Sequence, residues 1–232
     1  EMDEDFWTNR AKMQAPLVSI GAAIAGAKKL TGTAIFADAA DATSSGASGD
    51  SNALLAALVD ADYQGKVLLP LVDPPAVQRA IEIGLGQRAT FSLGGACDPR
   101  FKPLELEATV AMLATGPYYF ESWGNEQDAG DTALLQAGSY TIVATTRPVY
   151  LFDRSLFLAH GRDPQNFDLV VVKSPHCQDR FFIEWAEENL NIDAPGSTSA
   201  NLKSLGHTLC QRPMYPLDDD TTFEPKAQLF PR

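Results

Sequence analysis

Thr33-Ala-Ile-Phe-Ala37 runs into Asp38-Ala-Ala-Asp41-Ala-Thr-Ser-Ser45-Gly46-Ala-Ser-Gly49-Asp50-Ser51, and Leu54, Leu55, Leu58 and Val59 follow at helical spacing. A short apolar strand, a loop of small residues and a one-faced helix make one β-loop-α unit. Asp50 is the expected N-cap of that helix. The unit repeats. Val67-Leu-Leu-Pro-Leu-Val72 reads as a second buried strand, and Asp73-Pro74-Pro75 opens a helix carrying Val77, Ile81 and Leu85. Proline is tolerated in a helical first turn because the N–H it lacks has no intrahelical partner there. Strand, helix, strand, helix predicts a parallel sheet covered by helices.

The segment from 88 to 149 has another rhythm. Leu104-Glu-Leu-Glu-Ala-Thr-Val-Ala-Met112 alternates apolar and polar residues, the period of a half-exposed strand. Residues 118–123, 132–136 and 140–146 read as three more strands, punctuated by Gly and Asp. The expectation is an antiparallel β subdomain inserted into the α/β unit. After it, Asp153 caps a short helix ending at His160-Gly161, Leu169-Val-Val-Val172 is a strand, and residues 178–189 read as a helix bearing Phe181, Phe182 and Trp185. The fold class is therefore α/β: a mostly parallel sheet, flanking helices and an inserted antiparallel subdomain at about 88–149. Residues 1–30 read as a helical lead-in, with Asp3-Glu-Asp5 where the helix dipole favours acids. The main domain covers 31–218, and 219–232 is expected to be a loose tail.

Composition removes several functions. Among 232 residues, 18 Lys and Arg face 30 Asp and Glu, a net charge of −12 that repels phosphate backbones. A nucleic-acid partner is not expected. Hydrophobic residues at 45% and charged residues at 21% describe a globular chain. No apolar run reaches the length that spans a bilayer, so no membrane partner is expected. Cys97, Cys177 and Cys210 are too few and too scattered for a disulfide framework, which makes the cytoplasm the expected compartment. The opening Glu1-Met2-Asp3 suggests a piece of a longer polypeptide.

Candidate chemistry concentrates at strand ends. The 41–51 loop lies between a strand and a helix, where backbone N–H groups and the dipole favour an anion. It lacks the lysine of a Walker A loop, the spacing of a dinucleotide fingerprint and that of a nucleophile elbow. The same residues serve equally as a tight turn and a cap. Asp38, Asp41 and Asp50 bring three carboxylates near one strand end, for a cation, a substrate amine or the turn itself. Lys173 and Ser174 offer an ammonium and a hydroxyl to an anionic group, or merely end a strand. His176 follows them where α/β proteins place ligands. His160, at a helix end, would be mildly stabilising as a partly cationic ring. The three histidines and three cysteines form neither His-x-x-x-His nor Cys-x-x-Cys, the dense signatures of zinc.

Several stretches in order resemble one family. They are the 37–51 loop, Leu71-Val-Asp73-Pro74, Gly84-Leu-Gly86 before Leu93-Gly94-Gly95, Val170-Val-Val-Lys173-Ser174, Asp193-Ala-Pro-Gly196 and Arg212-Pro-Met-Tyr-Pro216-Leu-Asp218. Together they resemble the C-terminal domain of M81-family metallopeptidases of the microcystinase C (MlrC) type. The resemblance implies the C-terminal part of a zinc-dependent peptidase, whose zinc is held by aspartate and histidines of an N-terminal domain. It implies zinc-activated water attacking a peptide carbonyl, with linearised microcystin and its tetrapeptide as substrates of that branch. In this chain, Asp38, Asp41, Ser45, Gly46, Gly49, Asp50, Ser51, Lys173, Ser174 and His176 would then shape the substrate cleft, with no metal ligand among them. The partners implied are the N-terminal metallopeptidase domain, a peptide substrate and a second copy in a homodimer. The rival readings are a non-catalytic binding or oligomerisation module with a structural glycine loop, and a self-contained small-molecule enzyme using that loop as an anion cradle.

Overall fold

Hydrophobic residues on both faces of the central strands dictate a sheet sandwiched between two apolar layers. The computed structural model describes residues 2–175 and 179–224. It contains β1 (Val18–Ser19), β2 (Ala34–Ala37), β3 (Val67–Val72), β4 (Arg88–Leu93), β5 (Leu104–Phe120), β6 (Asn125–Ala137), β7 (Tyr140–Thr145), β8 (Leu169–Val172) and β9 (Glu188–Asp193). These form one sheet in the order β1-β9-β2-β8-β3-β7-β6-β5-β4. Every pairing from β1 to β7 is parallel, and β7-β6, β6-β5 and β5-β4 are antiparallel. The antiparallel segment thus continues the same sheet, hydrogen-bonded to it through β7.

Side-chain alternation assigns the two layers. Phe36, Leu69 and Val171 face α2 (Ile20–Ala27), α3 (Ala53–Asp60) and α4 (Pro74–Ile83), whose Ile24, Leu55, Leu58 and Val77 are buried against them. Ile35, Leu68, Val170 and Val172 face the other way, onto Leu156 and Phe157 of α5 (Ser155–Ala159) and onto Phe181 and Phe182. Runs apolar at every position, such as Val67–Val72, are what a doubly covered parallel strand requires. Burying a side chain such as Phe36 stabilises by about 1.5–3 kcal/mol. At the edge, Trp7 of α1 (Met2–Asn9) packs on Tyr215 and stacks on Phe223, with ring centroids 5.9 and 5.1 Å away. No helix among the described residues is long and apolar enough to cross a membrane.

Three local expectations are corrected. The helix over 178–189 is absent where the chain is described: residues 179–181 make one 3-10 turn, and β9 takes residues 188–193 between β1 and β2. Phe181, Phe182 and Trp185 fit a helical period because they cap one apolar layer, whereas Glu188-Asn-Leu-Asn-Ile-Asp193 alternates with period two. Helix α4 ends at Ile83 with Gly84 beyond it, which leaves Leu85 outside and exposed and Ile81 on the solvent side. The two strands read at 104–112 and 118–123 are one long β5, bent by register shifts at Val110/Met112 and Thr115/Pro117.

Candidate functional site

The carboxyl ends of β2, β3 and β8 lie side by side, so the residues that leave them meet at one pole: Asp38, Asp73 and Lys173. All three are buried. Open parallel sheets bind ligands outside such strand ends. Here the pole is filled first by the protein's own charges.

Lys173 Nζ lies 2.6 Å from Asp41 Oδ2 and donates to the Ser51 carbonyl at 2.8 Å, with Asp38 Oδ2 at 3.6 Å. Asp41 also accepts from Gly49 N at 2.9 Å through Oδ1 and from Ser51 N at 2.8 Å through Oδ2. The backbone N–H groups that could cradle an outside anion are therefore taken by Asp41, eight and ten residues back along the same loop. A Lys–Asp pair this deep is held only because its remaining donors and acceptors are matched.

Asp38 differs from Asp41. Its Oδ1 is buried with no hydrogen-bond partner. Burial raises its pKa, with Lys173 opposing and Asp41 reinforcing the rise. Asp38 is thus the less supported of the two carboxylates on this ammonium, with one oxygen unpartnered and the other 3.6 Å from Lys173 Nζ, against 2.6 Å for Asp41.

Asp50 is not the N-cap of α3. That position is Asn52, whose side chain makes no cap bond and instead donates to Leu93 O at 2.7 Å and Lys102 O at 2.8 Å. Asp50 Oδ2 accepts from Cys97 N at 2.6 Å and Asp98 N at 2.8 Å, while Oδ1 is bonded by Ser48 Oγ. It thus pins the 94–98 turn to the loop. Asp73 caps α4 through Ala76 N at 2.9 Å and ties down Gly94 N at 2.7 Å. Burial raises the Asp73 pKa, and those two N–H donors oppose the rise. Burial and the carboxylates of Asp50, Asp73 and Asp41 push the Cys97 thiol up, the reverse of activation.

Of the sequence-derived residues, Asp38, Asp41, Gly49, Asp50, Ser51, Lys173 and Ser174 are brought together in the buried pole. Ser45 and Gly46 are exposed on its outer side, Gly46 as the left-handed end of a 3-10 turn. His176 and Cys177 lie outside the described residues. His160 is corrected from a partly cationic helix end: it is buried, with Nδ1 2.8 Å from Leu156 O and Nε2 2.8 Å from Thr132 Oγ1. Burial lowers its pKa, so the ring is held neutral.

Sequence reasoning missed Asp73, Asn52 and Gly196 as parts of this pole. A Cβ on Gly196 would stand 2.1 Å from the Ala40 carbonyl oxygen, so the tail at 194–198 reaches the loop only through glycine. Thr198 completes that contact, its N donating to Ala40 O at 3.0 Å and its hydroxyl lying 3.3 Å from Ala42 N. The Asp73-Pro74-Pro75 cap motif was the available signal for the first. Long-range partners such as Leu93 and Ala40 left none for the others.

The donor set does not fit zinc. Among the described residues no group of three or more His, Cys, Asp and Glu could hold a metal ion, and Asp38 and Asp41 already face the Lys173 ammonium.

Residues 36–208 match the family model described as the MlrC C-terminus, and the chain belongs to this family. Microcystinase C from Sphingomonas sp. is 30% identical over 141 residues, which cover 60% of this chain and 28% of that protein. A crystal structure described as a metallopeptidase from Mesorhizobium sp. BNC1 superposes with a TM-score of 0.81 at 27% identity, over 94% of this chain and 44% of its own. The chain spans less than half the length of either relative. Family and relatives tie it to peptidase-related proteins.

Proposed function

We propose that the chain forms the C-terminal part of a zinc-dependent peptidase of the M81, microcystinase C type. Its strand-end loops shape the substrate cleft or a homodimer, and the zinc ligands belong to an N-terminal metallopeptidase domain of the same protein. The observation that carries this reading is the family match over most of the chain together with a donor set that is spent on Lys173. The buried lock orders the 38–51 loop and the 94–98 turn, so that their outer surfaces present a fixed wall to a peptide. Linearised microcystin and its tetrapeptide are the substrates to try first, because the Sphingomonas relative is named for that toxin.

A second reading has support in the same geometry. Because Asp41 and Asp50 of the loop are matched internally, the domain also suits a non-catalytic binding or oligomerisation module. Zinc content and peptide cleavage separate the two when this chain is measured beside the full-length protein. Stoichiometric zinc and turnover in the longer form alone support the first reading. Equal activity with this domain deleted supports the second, and zinc-dependent turnover by the short chain alone refutes the assignment of the metal elsewhere.

A further inference from the structure

The amino ends of β8, β3 and β7 lie side by side, at the opposite end of the strands from the buried pole, and a cavity of about 570 Å³ opens there. Lys66 leads into β3 and Ser139 into β7, while Arg162, Asp163, Asn166 and Phe167 lie on the connection from α5 to β8. Backbone bonds hold the walls. Val67 N donates to Ser139 O at 3.0 Å, Asp168 N and Leu169 N to Lys66 O at 2.9 and 3.1 Å, and Arg162 N to Phe157 O at 2.9 Å. Asp168 Oδ2 in turn accepts from Lys66 N at 2.7 Å. Small-molecule sites enclose roughly 300–1,000 Å³, and this cavity falls in that range.

Two cations line the cavity without a counter-charge from the protein. Arg88, Arg100, Arg147, Arg154 and Arg212 each face a carboxylate. Arg162 is half-buried, and among the described residues its guanidinium meets only the Gly161 carbonyl, at 3.2 Å through Nη1. The Lys66 ammonium, the Asn166 amide and the Ser139 hydroxyl have no hydrogen bond or ion pair among the described residues either. Gln136 differs, since it is spent on Gly138 O at 2.9 Å and on the Thr141 hydroxyl at 2.9 Å. On a chain of net charge −12, two unpaired cations beside one concave space focus a local positive field.

Charge and size narrow the occupant. Lys66 and Arg162 stand against Asp163, whose Oδ1 accepts from Gln165 N at 3.1 Å, so the lining carries two positive charges and one negative. A monoanion balances that surplus and a phosphate dianion exceeds it. The planar guanidinium suits a carboxylate, which it can bind through two parallel N–H bonds. At about 30 Å³ per water-sized group the cavity holds roughly twenty such groups, far more than an inorganic anion fills. Phe167, buried in the lining, adds an apolar wall. We infer that this cavity binds the carboxylate end of a short peptide or of an N-acylated amino acid. Arg162 and Lys66 take the carboxylate, Asn166 and Ser139 the neighbouring amide, and Phe167 the side chain. Peptide hydrolysis frees such an end at every cut, so the ligand is product-like for the proposed peptidase, but binding by this chain does not depend on that role.

The test reads binding by the full chain. Isotope-labelled protein is titrated with N-acetylphenylalanine, its carboxamide, hexanoate and phenyl phosphate, and the backbone amide resonances of Gly138, Ser139 and Gly161 are followed by NMR. The expected result is a saturable shift with N-acetylphenylalanine at a Kd of about 1 mM or below. Its affinity should exceed that of the carboxamide by about ten-fold. Arg162→Gln should lower it about ten-fold, Lys66→Gln about three-fold, and Asp163→Asn should raise it about two-fold by removing a like charge. Arg79→Gln, which removes an exposed cation of α4 outside the lining, should leave it unchanged. An equal response to the carboxamide or to hexanoate, tighter binding of phenyl phosphate, an equal loss in Arg79→Gln and Arg162→Gln, or no saturable shift up to about 10 mM overturns the site. If the site fails while the full-length protein still cleaves peptides, the peptidase reading stands without it. If the probe binds and the full-length protein cleaves nothing, the site stands and the peptidase reading falls.

Discussion

The buried pole and the tip of the β5–β6 hairpin both lie beyond the carboxyl ends of the parallel strands, and they differ in how far their most distinctive side chains are covered. At the pole, Asp41, Lys173, Asp50 and Asp73 are buried and find partners within the chain, and Asp38 Oδ1 is the oxygen left without one. At the tip, Trp123 stays half exposed and two buried hydroxyls have no partner. A cluster rich in charged residues is thus devoted to holding loops in place. The turn, by contrast, leaves Trp123 half exposed beside Tyr150 and Phe152. Density of chemically interesting residues does not by itself mark a binding surface, because a satisfied group has nothing left to offer.

The sharpest way to break this contrast is Lys173→Met. It strips the counter-charge from Asp41 and should cost about 3–5 kcal/mol, read as a lower midpoint in urea denaturation. A loss under about 1 kcal/mol would mean that the pole is not the structural lock described. Next in size comes a pair of variants on one ammonium. Asp41→Asn weakens the bonds from Lys173, Gly49 and Ser51 and should cost about 2–3 kcal/mol. Asp38→Asn should cost less than about 1 kcal/mol, because its Oδ1 has no hydrogen-bond partner and its Oδ2 stands 3.6 Å from Lys173 Nζ. Equal losses in the same denaturation experiment would contradict the unequal roles of the two carboxylates.

A smaller effect is expected from pH. The folded protein holds His160 neutral with its pKa lowered, so below the unfolded value of 6.5 the unfolded chain binds the extra proton. Its contribution to stability is present above that pH and is lost as pH falls through the lowered folded value. Asp38 and Asp73 act with the opposite sign. Their raised pKa values favour the fold at low pH, and that contribution is lost as pH rises from 3.8 through the folded values. Thermal melts from pH 7 downward should show the acid-side loss, and His160→Gln should flatten it. An unchanged slope in that variant would assign the loss to other groups. The smallest effect belongs to Ser45→Ala on the exposed rim of the loop, within about 0.5 kcal/mol of no change. A measurable fall in peptide cleavage by the full-length protein carrying that variant, at unchanged stability, would place a substrate contact on the rim of the loop.

Much of the architecture was legible because it depends on local pattern. The all-apolar runs at 34–37, 67–72 and 169–172 are buried central strands, Asp73-Pro74-Pro75 opens α4, and the alternation from 104 onward marks the antiparallel segment. The misreading at 178–189 arose where two phenylalanines and a tryptophan fit a helical period, while the deciding fact was an open edge of β2 that β9 fills. For the site, Asp41 and Lys173 were both legible as candidates, but their 2.6 Å contact spans 132 residues. Asp50 illustrates the same limit. Three residues before a helix it fits a cap, and only the arrival of the 94–98 turn gives it better donors.

The sequence by itself determined the buried central strands, the small-residue loop, the acidic balance and the family, since periodicity, composition and ordered motifs are properties of the chain read in one dimension. The tertiary structure alone decided which carboxylate faces the lysine most closely, which has its pKa raised by burial, and that Trp123, Tyr150 and Phe152 form one surface. Those outcomes depend on desolvation and on distances between residues far apart in the chain, and both exist only once the sheet has brought its strand ends together.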